Sequence, residues 1–327
     1  MSLSAFRIIQ AGKEVAATRT EVNADKRFPG TMTLTNFIDR HSPQDDRPSL
    51  AEFYRDVDIA QGASLRFQGA ATYQQILDFL AMGVKGAIAG VIDSGTAYNW
   101  TITPSLTASN VQDSYTFEYG DDTQAWVSVH TMCRALELSF AMNQVTELTA
   151  DLFSKFATKT TFTSGQVDPV VNEIVSNKLG VAIDSTYALA AATTTPKTAL
   201  VMGGTLRLVT GVIPIKYADG SMDFSTFGEQ RRHLEVELEM AMGADAMTEY
   251  DAWAARTLRA IQLKWTGPTL VGANHTFVVN LIGRYVAEPV IFEDRDGQDI
   301  IRLIMHSRED TLGNEFGFTC RTNVATL

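Results

Sequence analysis

Hydrophobic residues in this chain fall mostly on every second position, the spacing of a β-strand with one buried and one solvated face. Two stretches carry the alternation most strictly, and they resemble each other. Arg134 to Met142 reads Arg-x-Leu-Glu-Leu-x-Phe-x-Met, and Arg232 to Met240 reads Arg-x-Leu-Glu-Val-x-Leu-x-Met, a spacing of 98 from position 134 to position 232. In the first copy Leu136, Leu138, Phe140 and Met142 share a face opposed by Glu137 and Ser139. In the second, Leu234, Val236, Leu238, Met240 and Met242 oppose Glu235, Glu237 and Glu239. A repeated strand in a similar setting predicts two related β-domains in one chain. The expected division is an N-terminal arm (1–30), a first β-domain (31–165), a linking or crossing segment (166–197) and a second β-domain (198–327).

The remaining pattern fills in that plan. Residues 1–30 read as an arm of small and charged residues, closed by the turn at Pro29-Gly30. Strands are expected at 31–38, 63–68, 98–105, 114–119, 126–130 and 132–142. The polar stretch 39–62, rich in Pro and Asp, reads as a long irregular loop. Thr72 to Met82 has a helical stripe of Ile76, Leu77 and Leu80, with Thr72 as cap and Gly83 as stop. Val170–Val175 allows a helical turn or two, and 188–196 is simple enough to be a linker. The second half restarts with a strand over 198–210, then a hairpin near 218–221, the repeated strand, and a helix over 244–256 with Met247, Tyr250 and Ala254 inward. Strands at 260–265, 275–286, 298–305 and 316–324 complete it.

Composition adds limits. With 327 residues, 45% of them hydrophobic and 20% charged, the chain can build one or two large cores. No apolar run approaches the roughly 18–20 residues of a membrane-spanning helix. The opening Met-Ser-Leu-Ser-Ala-Phe-Arg lacks a signal-peptide layout, which predicts folding in a cytoplasm. Cys133 and Cys320 are expected as buried thiols. A net charge of −11 opposes stable nucleic-acid binding but suits a wall past which DNA slides.

Reactive constellations are missing from the sequence. Tyr119-Gly-Asp-Asp122 and Asp294-Arg-Asp-Gly297 could hold a cation, yet each is explained by a turn between strands. The five histidines stand alone, and neither a nucleophile elbow nor a phosphate loop occurs. The expectation is a non-enzyme without cofactor or metal. The four tryptophans are scattered within alternating patterns, which favours core over a sugar-binding patch.

A set of short matches in order resembles the major tail (tail tube) proteins of long-tailed bacteriophages, of the non-contractile type. They are Gln10-Ala-Gly-Lys-Glu14 with Val15-Ala-Ala-Thr-Arg19, Phe28-Pro-Gly30, Tyr98-Asn-Trp-Thr-Ile-Thr-Pro-Ser105, Thr116-Phe-Glu-Tyr-Gly-Asp121, Leu136-Glu-Leu-Ser-Phe140, Asp151-Leu-Phe-Ser-Lys-Phe156 and Phe162-Thr163. The second half matches less well. The resemblance implies a mainly β fold, a β-sandwich with a flanking short helix, expected twice here. Its strands would join those of neighbours into a ring lining a channel, and rings would stack into a tube for DNA ejection. The implied partners are other copies of the chain, as a trimer of two-domain chains or a hexamer, the tape-measure and tail-terminator proteins, and DNA passing without specific binding. No membrane is involved. The implied location is the virion tail, assembled in the host cytoplasm. Glu137, Ser139, Glu235, Glu237 and Glu239 are expected to face the channel. Arg7, Ile8, Ile9, Arg27, Phe28, Tyr54 and Phe318 are expected at contacts between subunits or rings. The alternatives are another β-rich virion component, a capsid or head-tail connector protein, or a monomeric β-sandwich binding module.

Overall fold

The computed structural model describes residues 6–16, 18–43, 55–85, 90–197 and 200–327. The chain is mainly β, 54% strand and 9% helix, as its period-two patterning predicts. In order come β1 (Ile8–Lys13), β2 (Lys26–Arg27), β3 (Thr31–His41), β4 (Val57–Ala70), α1 (Ile76–Gly83), β5 (Val91–Ser94), β6 (Ala97–Ile102), β7 (Tyr115–Gly120), β8 (Ala125–Ala141), β9 (Glu147–Ser154) and β10 (Thr158–Thr160). Then follow β11 (Leu179–Asp184), α2 (Tyr187–Ala191), β12 (Pro196–Lys197), β13 (Val201–Val209), β14 (Val212–Ile215), β15 (Thr226–Glu229), β16 (His233–Ala241) and α3 (Ala244–Ala254). The last strands are β17 (Arg259–Leu270), β18 (Ala273–Tyr285), β19 (Val290–Arg295), β20 (Gln298–Ser307) and β21 (Phe316–Thr322).

Eight strands lie side by side in the order β3-β4-β9-β8-β13-β16-β20-β19. The two copies of the sequence pattern are β8 and β16, and β13 runs antiparallel between them. Leu138 and Val236 both pair with Leu206, and Leu136 and Leu234 both pair with Leu208. The spacing of 98 found in the sequence is therefore kept in space, one copy on each side of a shared strand. The core-facing rows are closed to solvent: Leu65, Leu136, Leu138, Leu206, Leu208, Leu234, Val236, Leu303 and Met305 are at most 1% exposed.

A second layer covers that apolar face. One part is β2-β1-β7 with the first half of β8 and β10. The other is β12-β11-β17-β18-β21-β6-β5. Strand β8 crosses between layers, bending at His130, whose φ of 58° is left-handed. Aromatic rings join the layers: Phe140 meets Trp265 edge-on at 5.5 Å, and Trp265 stacks on Phe277 at 5.7 Å. Complete burial of each such ring is worth roughly 1.5–3 kcal/mol.

Helix α1 begins at Ile76, where the Thr72 hydroxyl accepts from Gln75 N at 3.1 Å in the preceding turn. All eight of its residues are buried, so its expected polar side does not reach water. Asp78 tolerates this because Lys26 Nζ (2.6 Å) and Tyr115 Oη (2.8 Å) donate to it. Helix α3 turns a different face inward than expected: Met247 and Ala254 are exposed, while Ala246 and Glu249 are buried and Tyr250 is half-buried. A buried ion pair from Glu249 to Arg259 fixes that rotation.

Four further expectations are corrected. The arm is not free: β1 pairs with β7 along its length, Ala11 is fully buried, and the Glu14 carboxylate accepts from Ser114 Oγ, Thr116 Oγ1 and His130 N. The two ends of the expected loop 39–62 are strand, since β3 and β4 stay paired out to His41 and Val57; residues 44–54 lie outside the described residues. Alternating polar side chains on a hairpin exposed on both faces look like a loop in sequence. Residues 170–175 form no helical turn; they run extended, with bridges from Glu173 to Thr72 and Val175 to Val145. Within the expected linker, β11 adds to the second layer beside β17, and 187–191 is a helix capped by Thr186.

Candidate assembly surface

The outward face of the eight-stranded sheet is polar and carries a ladder of ion pairs. Across one row the registers place Thr149, Glu137, Arg207, Glu235 and His306 in line. Arg207 Nε donates to Glu137 at 3.0 Å, its Nη1 lies 3.4 Å from Glu235, and His306 Nε2 is 2.7 Å from the other Glu235 oxygen. The Glu137 hydrogen bond and charge push the Arg207 guanidinium above its ordinary value. A second group centres on Arg302, which reaches Glu237 (3.2 Å), Glu239 (3.3 Å) and Glu293 (3.1 Å), while Arg295 also pairs with Glu239.

All five residues expected on the lumen face, Glu137, Ser139, Glu235, Glu237 and Glu239, therefore share one surface. That surface is not bare acid. The partner cations lie on β13, β19 and β20, strands whose sequence distance hid the pairing. Such solvent-accessible pairs add little stability, about 0–1 kcal/mol each, and three arginines against five glutamates reduce the acidity of the face without cancelling it.

The residues expected at subunit contacts divide. Ile9, Phe28 and Phe318 are 4%, 3% and 1% exposed and belong to the core, where no neighbour can touch their side chains. Phe28 packs against Phe67, Phe79 and Phe117. The expectation comes from reading the arm and the C-terminal strand as open segments, whereas β1 and β21 are both paired within the chain. Arg7 is exposed, Ile8 is half-buried, and Arg27 is half-buried with an ion pair to Asp168 at 3.1 Å. Tyr54 lies outside the described residues.

The sequence reading did not include the sheet's two ends. Among the described residues β3 pairs only with β4, and β19 only with β20. Both edges carry exposed apolar side chains beside polar and charged ones: Phe37 and Ile38 on β3, next to Asp39 and Arg40, are 46% and 37% exposed, and Val290, Ile291 and Phe292 on β19, next to Glu293, are 51%, 40% and 69% exposed. Free strand edges of monomeric proteins are usually blunted by charge, proline or a bulge. The register slip at Phe292 is one such bulge, yet the three apolar side chains stay open. Beyond Ala63 the β3–β4 hairpin runs past the end of β9, with Val57 and Ile59 exposed. The β14–β15 loop braces its base, through Gln61 N to Met222 O at 2.9 Å.

Other features read as structure. Asp121 Oδ1 accepts from the amides of Thr123 and Gln124, closing the β7–β8 turn. Asp294 to Gly297 is the β19–β20 hairpin, with Asp296 and Gly297 at φ 54° and 79°. A groove of about 900 Å³ is lined by Ser105, Thr107, Glu229, Arg231, Arg232 and Glu315, and Glu229 is already taken by Arg232 and Asn110. Cys133 and Cys320 are buried free thiols, pushed up by desolvation. No family of known proteins matches the chain, and no curated protein does.

Proposed function

We propose that this protein is a structural, self-assembling subunit of a phage-type tail tube, joining edge to edge into rings that stack around a channel for DNA. The observation that supports the reading is the eight-stranded sheet with a buried face, a polar face and two edges that, among the described residues, pair with no further strand and carry exposed apolar side chains. A sheet open at both ends propagates from copy to copy, and head-to-tail contacts close into a ring when the rotation allows. Each chain supplies two units of four strands, so three chains would imitate the six-fold symmetry that the resemblance implies.

The polar face would line the channel. Its five paired glutamates are partly offset by three arginines, Arg207, Arg295 and Arg302, so a passing phosphate backbone meets a mildly acidic wall and no adhesive basic patch. The protruding β3–β4 hairpin, with Val57 and Ile59 exposed, replaces the arm as the contact between stacked rings. Deleting residues 1–20 would remove β1 and open the core, so it does not test stacking. Replacing its exposed apolar side chains, Val57→Asp with Ile59→Asp, does.

The deciding experiment is negative-stain electron microscopy of the purified chain at rising concentration, with its mass in solution. Rings or tubes of three chains per ring are expected, and the Val57→Asp, Ile59→Asp variant should give rings without tubes. A monomer at every concentration, with or without tail-tip extract as initiator, refutes the proposal. In an assembled particle, Glu235→Lys, Glu237→Lys and Glu239→Lys together should slow DNA ejection; unchanged ejection removes the lumen placement.

A further inference from the structure

The sheet contains its own template for how two copies meet. Its first four strands, β3-β4-β9-β8, and its last four, β13-β16-β20-β19, follow the same path. Each begins with an antiparallel pair, β3 with β4 or β13 with β16 (the latter with the β14–β15 ribbon inserted between its strands), and the second strand of the pair leads into a helix, α1 or α3. In each, a later strand pairs with that second strand, β9 with β4 and β20 with β16. The strand preceding it rises out of the second layer and pairs with it last. In the first half this is β8, which slips register between Cys133 and Ala135. In the second it is β18 continued by β19, which pair with β20 at 283–285 and 290–295 around an irregular 286–289.

The registers make the correspondence residue by residue. One row of the first half reads Leu34-Leu65-Leu152-Cys133, and the row at the same slip in the second reads Leu206-Val236-Met305-Tyr285. Leu34 thus occupies the place of Leu206. Counting along β9 and β20 from that row, Thr149 with Glu137 answers to Arg302 with Val290, and Leu148 with Leu138 answers to Ile301 with Ile291. Val290 therefore stands where Glu137 stands, and Ile291 where Leu138 stands.

At the seam inside the chain, Leu206 pairs with Leu138 and Arg207 with Glu137. We infer that the seam between chains copies it: β3 of one chain lies antiparallel to β19 of a second copy, with Leu34 opposite the partner's Ile291 and Thr35 opposite the partner's Val290. This inference rests on the ring reading and specifies its contact.

Burial supports the register. Leu65, Leu152 and Cys133 are 1%, 2% and 0% exposed, and only Leu34, at the row's open end, is half-buried. Ile291 is 40% exposed beside Ile301 at 0%. Each is the uncovered last member of a closed apolar row on the core side of the sheet, and the inferred register sets one against the other. The charged pair of the internal seam is replaced by Thr35 and Val290, so the seam between copies is held by backbone hydrogen bonds and apolar contact.

Directly opposed residues of antiparallel strands have Cα atoms about 4.5–5.5 Å apart, inside the roughly 4.4–6.8 Å span of a disulfide. The test is a T35C/V290C variant of the full chain, assembled, oxidised and run on non-reducing gels beside T31C/V290C. Both substituted positions are exposed, and the native cysteines are buried. The expected result is loss of most monomer to covalent dimer and trimer from T35C/V290C. T31C/V290C, about 13 Å out of register, should remain monomeric on the gel. Rings under the microscope without cross-linking of T35C/V290C, or with equal cross-linking of the control, overturn the seam and leave the ring reading standing. Absence of both rings and cross-links overturns the two together.

Discussion

The carboxylate of Glu249 on α3 has no exposed surface, and the Arg259 guanidinium that faces it from β17 is 15% exposed. Arg259 Nε donates to Glu249 Oε2 at 2.7 Å, Nη2 donates to Oε1, and Tyr285 Oη donates to Oε2 at 3.0 Å. This pair sets which face of α3 turns inward. Arg259→Ala leaves a buried carboxylate with one neutral donor. Breaking a buried pair from one side costs about 3–5 kcal/mol. The surviving Tyr285 bond to a charged group, worth about 1.5–3 kcal/mol, holds the loss at the lower end of that range. Glu249→Leu combined with Arg259→Met removes both charges and leaves the Tyr285 hydroxyl unsatisfied, for about 1–3 kcal/mol. The double variant should therefore be the more stable of the two. Equilibrium urea unfolding, followed by fluorescence of the four tryptophans, gives each value. An Arg259→Ala loss below about 1 kcal/mol would refute the assignment of this pair as a buried anchor. So would a double variant less stable than Arg259→Ala.

Other outcomes follow from the same structure. Burial, helped by the Arg19 and Lys155 cations, pulls His130 down to about 3. The unfolded chain, near 6.5, takes up a proton that the folded chain refuses. This stability is whole above pH 6.5 and is lost as pH falls toward 3, by up to about 1.4 kcal/mol per unit. His130→Asn, which tolerates the left-handed φ, should lose less stability than the wild type between pH 7 and 5; equal losses would contradict the assignment. Gly204→Ala puts a Cβ 2.2 Å from Glu237 O and 2.8 Å from the Phe140 ring. It should cost about 1–3 kcal/mol by overpacking, and an unchanged melting temperature would show that β13 can shift. Trp265→Ala empties a site between Phe140 and Phe277 and should cost about 3–5 kcal/mol in the same unfolding assay.

The sequence by itself determined the strands and the repeat. Leu136 to Met142 and Leu234 to Met242 alternate because one face of each strand is buried, and that constraint is local: it acts on every second residue whatever the strand pairs with. Tertiary structure decided which strands pair, and so where charges and edges fall. Glu235 was legible as outward-facing, but its partners Arg207 and His306 lie 28 and 71 positions away and are set by register alone. Nothing in the sequence marks Glu14 and Glu249 for burial, since burial of a carboxylate depends on donors that only the fold brings to it. The two open edges had no local signature. Val290 to Phe292 and Phe37 to Ile38 look like any strand, and a strand becomes an edge only when no other strand lies beside it.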